Sequence, residues 1–527
     1  MSFPPPAALV EKPEYYDGLD LLGLRNPVQR IGNDCLNGIV TVTPAVRYLS
    51  IYCWLLRCYW QQGRPAKQSA FRRFSADAEF ALVLANRLVD PRIGNLIGAD
   101  KARGLLAEGG TEFVPTKLAN TGMPGVYSAV AGQLGLAADA PVGGVAALTR
   151  ERGAALAELA GAHLEATGLG RRIAEHGVGE SVARDELVEF GQAARLDVLA
   201  EDERRLLAEI VLPSEPRSKA EERRLASYGL LLHLADRRGK PPSQSGFFNA
   251  VASDDVFPDA LTRTRTEWGV YLTRDSIAVL HEALLSVTVN VTRARGGTAK
   301  AAEVIEAIVG STRQEEALRG LELTAGSDGI GSMGCAALMA AVVGATKPTR
   351  TEFGRVVWPG SLQEPKLIAG ARGASEGVGL LTLVGWMLAV RRNEPALAAE
   401  PSRGVQAAGA GAGRLGLREV IAPHVDRWVR DDVPVVAAIA ELVQRTVDQH
   451  LRIVWSRRNN DPHRDAGKLA VDGSSWRFRG SFGGGRSLNP LPQAVGWLRS
   501  LGLVSADGLT DEGEAVYQRI IATGVNA

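Results

Sequence analysis

One short region of the sequence concentrates side chains that could do chemistry. The stretch 448–465 reads DQHLRIVWSRRNNDPHRD and holds Asp448, His450, Asp461, His463 and Asp465. Carboxylates and imidazoles grouped in this way could ligate a divalent metal ion or supply a general base. The same letters also fit a polar loop between a helix and a strand, and the carboxylate–lysine set typical of restriction-type nucleases is missing. We therefore predict no catalytic or metal-ligating residue. A metal-dependent nuclease or other hydrolase that uses Asp461, His463 and Asp465 remains the alternative.

Two glycine strings match the pattern G-x-G-x-x-G of dinucleotide-binding proteins. The first covers residues 329–334 and precedes the apolar run CAALMAAVVGA, and the second covers residues 411–416 in a low-complexity segment. Such a string binds a phosphate where it joins a strand to a helix in a parallel β-α-β unit, and neither context suggests one. Asp328 would also repel a phosphate. The chain has no P-loop lysine motif, protein-kinase motif set or H-E-x-x-H motif. We predict no cofactor and favour a protein that is not an enzyme.

The charge of the chain is nearly balanced overall but unevenly distributed. The formal net charge is +1, whereas nine basic and three acidic residues lie between Arg452 and Arg499. A local cationic surface is what contact with DNA phosphates requires, and the glycine-rich GSFGGGRS would let the backbone approach a phosphate closely. We therefore predict duplex DNA as a partner. A solvated basic face on a protein-interaction scaffold is the alternative. The predicted nucleic-acid-binding residues are Arg477, Arg479, Arg486 and Arg499.

Helical periodicity dominates the chain from Pro44 to Arg295. The stretch TVTPAVRYLSIYCWLLRCYW has a possible N-cap in Thr43, a proline suited to the first helical position, and aromatic residues at helical spacing. We interpret this aromatic stripe as core packing rather than as a surface for stacking bases. Ser75 is predicted to cap the next helix, and no segment alternates at period two for long. The predicted fold class is mainly α, a multi-domain helical array with a C-terminal α+β domain.

The chain is long enough for several domains, and we predict four segments. Residues 1–145 form an N-terminal helical domain with a loop-rich stretch, and residues 146–392 form a central all-α domain. Residues 393–416 are rich in Ala, Gly and Pro, which is typical of a linker. Residues 417–527 form the last domain.

The remaining composition predicts a cytoplasmic protein. Its four cysteines lie at no metal-ligand spacing, and we expect them to be buried free thiols. The N-terminus has neither the basic nor the apolar region of a signal peptide. The longest apolar runs are too short or too interrupted to span a bilayer, so no membrane contact is predicted.

The end of the chain resembles winged-helix transcription regulators. The string LRSLGLVSADGLTDEG, residues 498–513, is similar to the end of their recognition helix, a strand, a short wing and an LT-x-x-G motif. The resemblance covers about the last hundred residues and implies a winged-helix-like domain at 417–527. It departs from the family where two strand candidates, KLAVDG and WRFRG, replace the expected second helix. Pro490 and Pro492 also precede the recognition helix, so we expect phosphate contacts rather than specific base contacts.

A second resemblance concerns the beginning of the chain. The stretch YDGLDLLGLRNPVQRIGNDCLNGIVTVTPAVRYLS, residues 16–50, is similar to helical proteins encoded in bacterial antiviral or restriction gene clusters. It implies a role in antiviral defence, with protein partners from the same gene cluster. It assigns no functional residue.

Overall fold

The fold is mainly α-helical, as predicted. The computed structural model describes residues 20–94, 96–138, 143–252, 257–323, 329–345, 349–350, 356–357, 362–373, 375–399, 415–460 and 467–523. In the first half of the chain the helices are α1 (Arg25–Cys35), α2 (Tyr48–Gln61), α3 (Gln68–Val89), α4 (Ala99–Ala107), α5 (Met123–Gln133), α6 (Gly153–Leu164), α7 (Gly168–Glu175), α8 (Arg184–Ala193), α9 (Glu201–Val211), α10 (Lys219–Arg238) and α11 (Gln244–Ala252). They continue with α12 (Thr262–Ala294), α13 (Ala301–Val309), α14 (Arg313–Gly320), α15 (Cys335–Ala345), α16 (Glu364–Ala371), α17 (Val378–Ala399), α18 (Ala422–Arg430), α19 (Val435–Asn460), α20 (Leu491–Ser500) and α21 (Asp511–Thr523).

The strands are short and form small antiparallel sheets. They are β1 (Glu112–Phe113), β2 (Val182–Ala183), β3 (Thr298–Lys300), β4 (Thr349–Arg350), β5 (Val356–Val357), β6 (Leu469–Asp472), β7 (Ser475–Phe478), β8 (Val504–Ser505) and β9 (Gly508–Leu509). Strands β1–β2, β4–β5 and β8–β9 pair in twos, and the remaining sheet has the order β3-β7-β6. The strands predicted in KLAVDG and WRFRG are confirmed as β6 and β7.

The chain forms two compact units, each made of three separate stretches. The first unit contains Met1–Gly32, Ser245–Phe257 and Arg265–Leu488. The second unit contains Asn33–Gln244, Pro258–Thr264 and Asn489–Ala527. This division differs from the four consecutive segments predicted, and it cuts the predicted domain 417–527 between residues 488 and 489. The physical reason is that β7 pairs with β3 inside the first unit, whereas α20 and α21 pack inside the second.

The core of the first unit contains a hydrogen-bonded group of aromatic side chains. Trp386 Nε1 donates to His281 Nε2 at 2.9 Å, and His281 Nδ1 lies 2.8 Å from the Thr446 hydroxyl. Burial lowers the pKa of His281 to about 3, so the imidazole is neutral and its Nδ1–H donates to Thr446. Trp386 also stacks on Trp428, with ring centroids 5.4 Å apart. These contacts fix α12, α17, α18 and α19 around one buried histidine.

The second unit buries the aromatic stripe of α2, which confirms its interpretation as core. Tyr48, Tyr52 and Tyr59 are 0–2 % exposed. The Tyr48 ring lies 5.2 Å from the ring of Tyr127 in α5, and Tyr59 packs edge-on against Phe71 in α3. Bases have no access to this stripe.

The two predicted helix caps, Thr43 and Ser75, are wrong. Thr43 does not cap α2, because its hydroxyl donates to the Val40 carbonyl and closes a turn before the helix. Ser75 lies inside α3 and donates to the Phe71 carbonyl one turn earlier.

The predicted loop-rich stretch contains the short helices α4 and α5, and α17 runs through the first seven residues of the predicted linker. The rest of that linker, apart from Leu415 and Gly416, lies outside the described residues.

Two chain-wide predictions concern thiols and membranes. All four cysteines are buried and none forms a disulfide, as predicted. Burial raises the pKa of Cys58 and of Cys335 to about 12, so both thiols stay protonated near neutral pH. Within the described ranges, no helix combines the length and apolar character needed to cross a membrane.

Candidate nucleic-acid interface

The three-stranded sheet of the first unit has one apolar and one basic face. The central strand β7 pairs with β6 from Leu469↔Phe478 to Asp472↔Ser475, and with β3 from Thr298↔Arg477 to Lys300↔Ser475. Side chains alternate between faces along a strand, and directly paired residues share a face. Trp476 and its neighbours Ala299 and Leu469 are buried and form the inward side. The residues on either side of Trp476 therefore point away from this core.

The outward side of the sheet carries the basic residues, together with the exposed Asp472 at the end of β6. Arg477 is exposed, and within the described ranges it takes part in no ion pair. Arg479 lies two residues further on the same face, and its backbone N–H donates to the Lys468 carbonyl at 3.0 Å, which places these two residues opposite each other. Lys300 is exposed at the far edge, with its ammonium 3.9 Å from Glu303. We call this set the basic face; it consists of Lys300, Lys468, Arg477 and Arg479.

Arg486 lies elsewhere in the first unit and is engaged internally. Its Nε donates to Asp275 Oδ2 at 2.9 Å, its guanidinium carbon lies 4.0 Å from the centroid of the Phe248 ring, and its side chain is 16 % exposed. The placement of Arg486 therefore does not favour the predicted phosphate contact. Arg477 and Arg479 remain exposed, as a phosphate contact requires.

We expect Arg486→Ala to lower the free energy of unfolding by about 1–3 kcal/mol, because it removes a charge-assisted hydrogen bond from a buried carboxylate. The salt dependence of DNA binding should stay as in the wild-type protein. Denaturant unfolding and binding titrations at several salt concentrations measure the two quantities separately. A loss of salt dependence with unchanged stability would contradict this placement.

The glycine-rich loop next to Arg486 packs on carboxylates rather than presenting its backbone to a ligand. The N–H of Gly485 donates to Glu282 Oε2 at 3.2 Å, and the Gly485 carbonyl accepts from Arg25. A side chain at Gly484 would place its Cβ 2.8 Å from the Cβ of Glu282, so only glycine fits there. The backbone of this loop approaches another group closely, but that group is the Glu282 side chain rather than the predicted phosphate.

Arg499 belongs to the second unit, where it is an exposed residue in the last turn of α20. The opposite side of α20 is buried, and Trp497 Nε1 donates to the Thr43 carbonyl at 3.1 Å. The following hairpin β8–β9 has two residues per strand, and the Thr510 hydroxyl caps α21 by accepting from the Gly513 N–H at 3.0 Å. Arg499 is the one basic side chain of α20. The predicted recognition helix thus offers little cationic surface for phosphate contacts.

The candidate catalytic cluster is described only at its start. Asp461, His463 and Asp465 lie outside the described residues. His450 is fully buried, and its two ring nitrogens lie 3.0 Å from the Leu21 carbonyl and 3.0 Å from the Lys468 backbone N–H. Both nitrogens are therefore engaged by the backbone, which leaves neither for a metal ion. Within the described ranges, no group of three His, Cys, Asp or Glu side chains is arranged to hold a metal.

The glycine string 329–334 is lined by carboxylates. Asp432 Oδ1 accepts from the Ala336 N–H at 3.0 Å at the start of α15, the position that a bound phosphate would take. A Cβ at Gly334 would lie 2.0 Å from Asp432 Oδ1, and one at Gly329 would lie 2.6 Å from Glu315 Oε1. These contacts favour the prediction that this string binds no nucleotide. Gly411 and Gly413 of the second string lie outside the described residues.

A further string, GASEG at residues 373–377, matches the G-x-S-x-G pattern of serine hydrolases. It connects α16 to α17, whereas the nucleophile of that enzyme class sits on a turn from a strand to a helix. The Ser375 carbonyl accepts from the Val378 N–H at the start of α17, so residues 375–377 form the entry to a helix.

Lys300 joins the basic face through strand β3, which the sequence does not predict. Strand β3 lies almost 180 residues before its partner β7 and has only three residues, too few for visible alternation. The sequence feature that indicates a reversal of the chain before β3 is the Gly296–Gly297 pair at the end of the long helix α12. Both glycines have positive φ values, +89° and +81°, which turn the chain back into the sheet.

Comparison with protein-family models, curated proteins and solved structures finds no match to this chain.

Proposed function

We propose that this chain is a non-enzymatic nucleic-acid-binding protein that contacts the phosphates of duplex DNA through the basic face. The observation that carries the proposal is the placement of Lys468 and Arg479 opposite each other beside Arg477. Together these side chains concentrate positive charge on the outward side of the sheet. A polyanion with regularly spaced phosphates binds to such a cationic surface, and the release of its counterions adds to the affinity.

The order of elements around the basic face supports a winged-helix unit at a different place from the one predicted. Helix α12 leads into β3, α13 and α14, and the hairpin β6–β7 then returns so that its second strand pairs with β3. A three-residue turn that begins with Gly310 joins α13 to α14, a length typical of helix-turn-helix motifs. We propose this arrangement, with residues 321–468 as an insertion, as the winged-helix unit.

The charges of this unit favour the hairpin over the helix as the DNA-contacting element. Helix α14 carries Glu315 and Glu316, and Glu316 forms an ion pair of 2.5 Å with Arg313. With Arg313 and Arg319 the charges of α14 cancel, so this helix adds no net attraction to the negative potential of a DNA groove. Phosphate contacts position a protein without reading sequence, so discrimination between DNA sites should be modest.

The test is a binding titration of the full chain with a DNA duplex of mixed sequence at several salt concentrations. Each lost phosphate contact lowers the slope of log K against log salt by about 0.9. We expect Arg477→Ala/Arg479→Ala to lower the slope by about 2 and to weaken binding on unrelated duplexes alike. The matched control is Arg372→Ala/Arg391→Ala, which removes the same charge from two exposed positions of the first unit. Equal effects of the two double variants would overturn the proposal.

The alternatives predict different results in the same experiment. A protein-interaction scaffold would show no retention on DNA at moderate salt in any variant. A nuclease that uses Asp461, His463 and Asp465 would cut the duplex when Mg²⁺ or Mn²⁺ is added, and His463→Ala would abolish cutting. Participation in bacterial antiviral defence is proposed from the resemblance of residues 16–50 alone.

A further inference from the structure

A cleft of about 360 Å³ opens in the second unit between the start of α3 and the loop that follows α7. Ser69, Arg73 and Asp77 line it from α3 at intervals of four residues, which places all three on one side of the helix. Arg64 enters from the segment before α3, and the loop 176–179 closes the other side. The cleft therefore brings two guanidinium groups and one carboxylate together.

Arg64 is held in a fixed orientation at the wall of this cleft. Its Nε donates to Gln62 Oε1 at 2.6 Å, its Nη2 donates to the His176 carbonyl at 2.9 Å, and its guanidinium carbon lies 4.7 Å from the centroid of the Phe74 ring. Its Nη1 has no hydrogen-bond partner among the described residues. A guanidinium that is already oriented loses little conformational entropy when it binds an anion.

The loop opposite Arg64 requires glycine. Gly177 and Gly179 have φ values of +99° and +91°, a region that side chains disfavour. A Cβ at Gly177 would also lie 3.2 Å from Arg64 Nη2. The backbone at Gly177 can therefore approach Arg64 closely. Because no side chain projects from this position, the space beside the guanidinium remains available to a ligand.

Asp77 gives the cleft a second kind of recognition. Partial burial raises its pKa, while the charges of Arg73 and Arg64 act in the opposite direction without forming a close ion pair with it. A carboxylate in this position accepts hydrogen bonds from hydroxyl groups, and the arginines bind phosphate oxygens. The volume lies within the range of small-molecule sites and exceeds the need of an inorganic ion.

We propose that this cleft binds a small phosphomonoester that carries hydroxyl groups, with its phosphate on Arg64 and Arg73 and a hydroxyl on Asp77. The site is separate from the basic face, since all its residues belong to the second unit. It is therefore independent of the proposed DNA contact.

The test is calorimetric titration of the full chain with ribose 5-phosphate, ribose and inorganic phosphate. We expect ribose 5-phosphate to bind at least tenfold more tightly than either of the others. Arg73→Ala should weaken its binding tenfold or more, because it removes a charge-assisted phosphate contact. The matched control is Arg72→Ala, which removes the same charge from the neighbouring exposed position of α3 that does not line the cleft.

Two further variants make the result specific. Asp77→Asn should reduce the preference for ribose 5-phosphate over inorganic phosphate, and Arg477→Ala/Arg479→Ala should leave ribose 5-phosphate binding unchanged. Equal weakening by Arg72→Ala and Arg73→Ala, equal binding of ribose and ribose 5-phosphate, or no binding of ribose 5-phosphate would overturn the proposal.

Discussion

Asp275→Ala is expected to lower the free energy of unfolding of the first unit by about 3–5 kcal/mol. Asp275 is fully buried and accepts three hydrogen bonds, from Arg25 Nη1 at 3.1 Å, Arg486 Nε at 2.9 Å and the Ser487 backbone N–H at 2.9 Å. Removal of this carboxylate leaves the Arg486 guanidinium without its anionic partner and the Ser487 N–H without an acceptor. An unpaired guanidinium and an unpaired N–H are both costly in a buried environment. Arg25 retains an anionic partner, because its ion pair with Glu282 remains.

The measurement is denaturant unfolding followed by hydrogen exchange of peptides from α12, since a chain of two units need not unfold in one step. Asp275→Asn keeps an acceptor and should show a smaller loss. Glu306→Ala removes an exposed carboxylate of the same unit and should change stability by less than about 0.5 kcal/mol. The double variant Asp275→Ala/Arg486→Ala should recover part of the loss, because no unpaired guanidinium remains at position 486. A loss below about 1 kcal/mol for Asp275→Ala would contradict the assigned role.

The sequence predicts helices well where the signal is local. The stretch from Tyr48 to Trp60 repeats apolar residues at helical spacing, and it forms the buried helix α2. The strands β6 and β7 are likewise visible, because a turn through Gly473 joins two short apolar runs. Thr43 and Ser75 show the limit of local signals. Both are good capping residues, yet each satisfies its hydroxyl with a nearby carbonyl instead.

Arg477 and Arg479 are predicted from the sequence, but the full composition of the basic face is not, because it depends on contacts between distant parts of the chain. The excess of basic residues from Arg452 to Arg499 is a property of the sequence, but which of them face solvent is not. Arg486 pairs with a carboxylate 211 residues away, and Lys300 joins Arg477 only because β3 pairs with β7. A count of charges along the chain reveals neither the Arg486–Asp275 ion pair nor the pairing of β3 with β7. The two-unit division has the same origin, since each unit combines stretches from both ends of the sequence.

The buried carboxylate of Glu79 gives the second unit a pH-dependent stability. Glu79 lies in α3 and is 4 % exposed, and its Oε2 accepts from the Met123 N–H at 3.0 Å. Its Oε1 has no hydrogen-bond partner among the described residues. Burial raises the pKa of Glu79 to about 7 against the opposing effect of the Met123 hydrogen bond. The folded state therefore holds a proton at this site more tightly than the unfolded chain does.

We expect Glu79→Gln to stabilise the second unit at pH 8 and to leave its stability nearly unchanged at pH 4.5. A carboxylate with a raised pKa contributes stability that is present below its ordinary pKa of about 4.5 and is lost as the pH rises to about 7. The shift corresponds to a loss on the order of 3 kcal/mol between these two values, and a glutamine does not titrate. The measurement is the free energy of unfolding of wild type and variant from pH 4.5 to pH 8, with hydrogen exchange of peptides from α3 to assign it to the second unit. Glu158→Gln, at an exposed position of α6, is the control, and its free energy of unfolding should depend on pH in the same way as that of wild type. A difference between wild type and Glu79→Gln that stays constant over this range would mean that the pKa of Glu79 is the same in the folded and the unfolded chain, and it would contradict the effect assigned to burial.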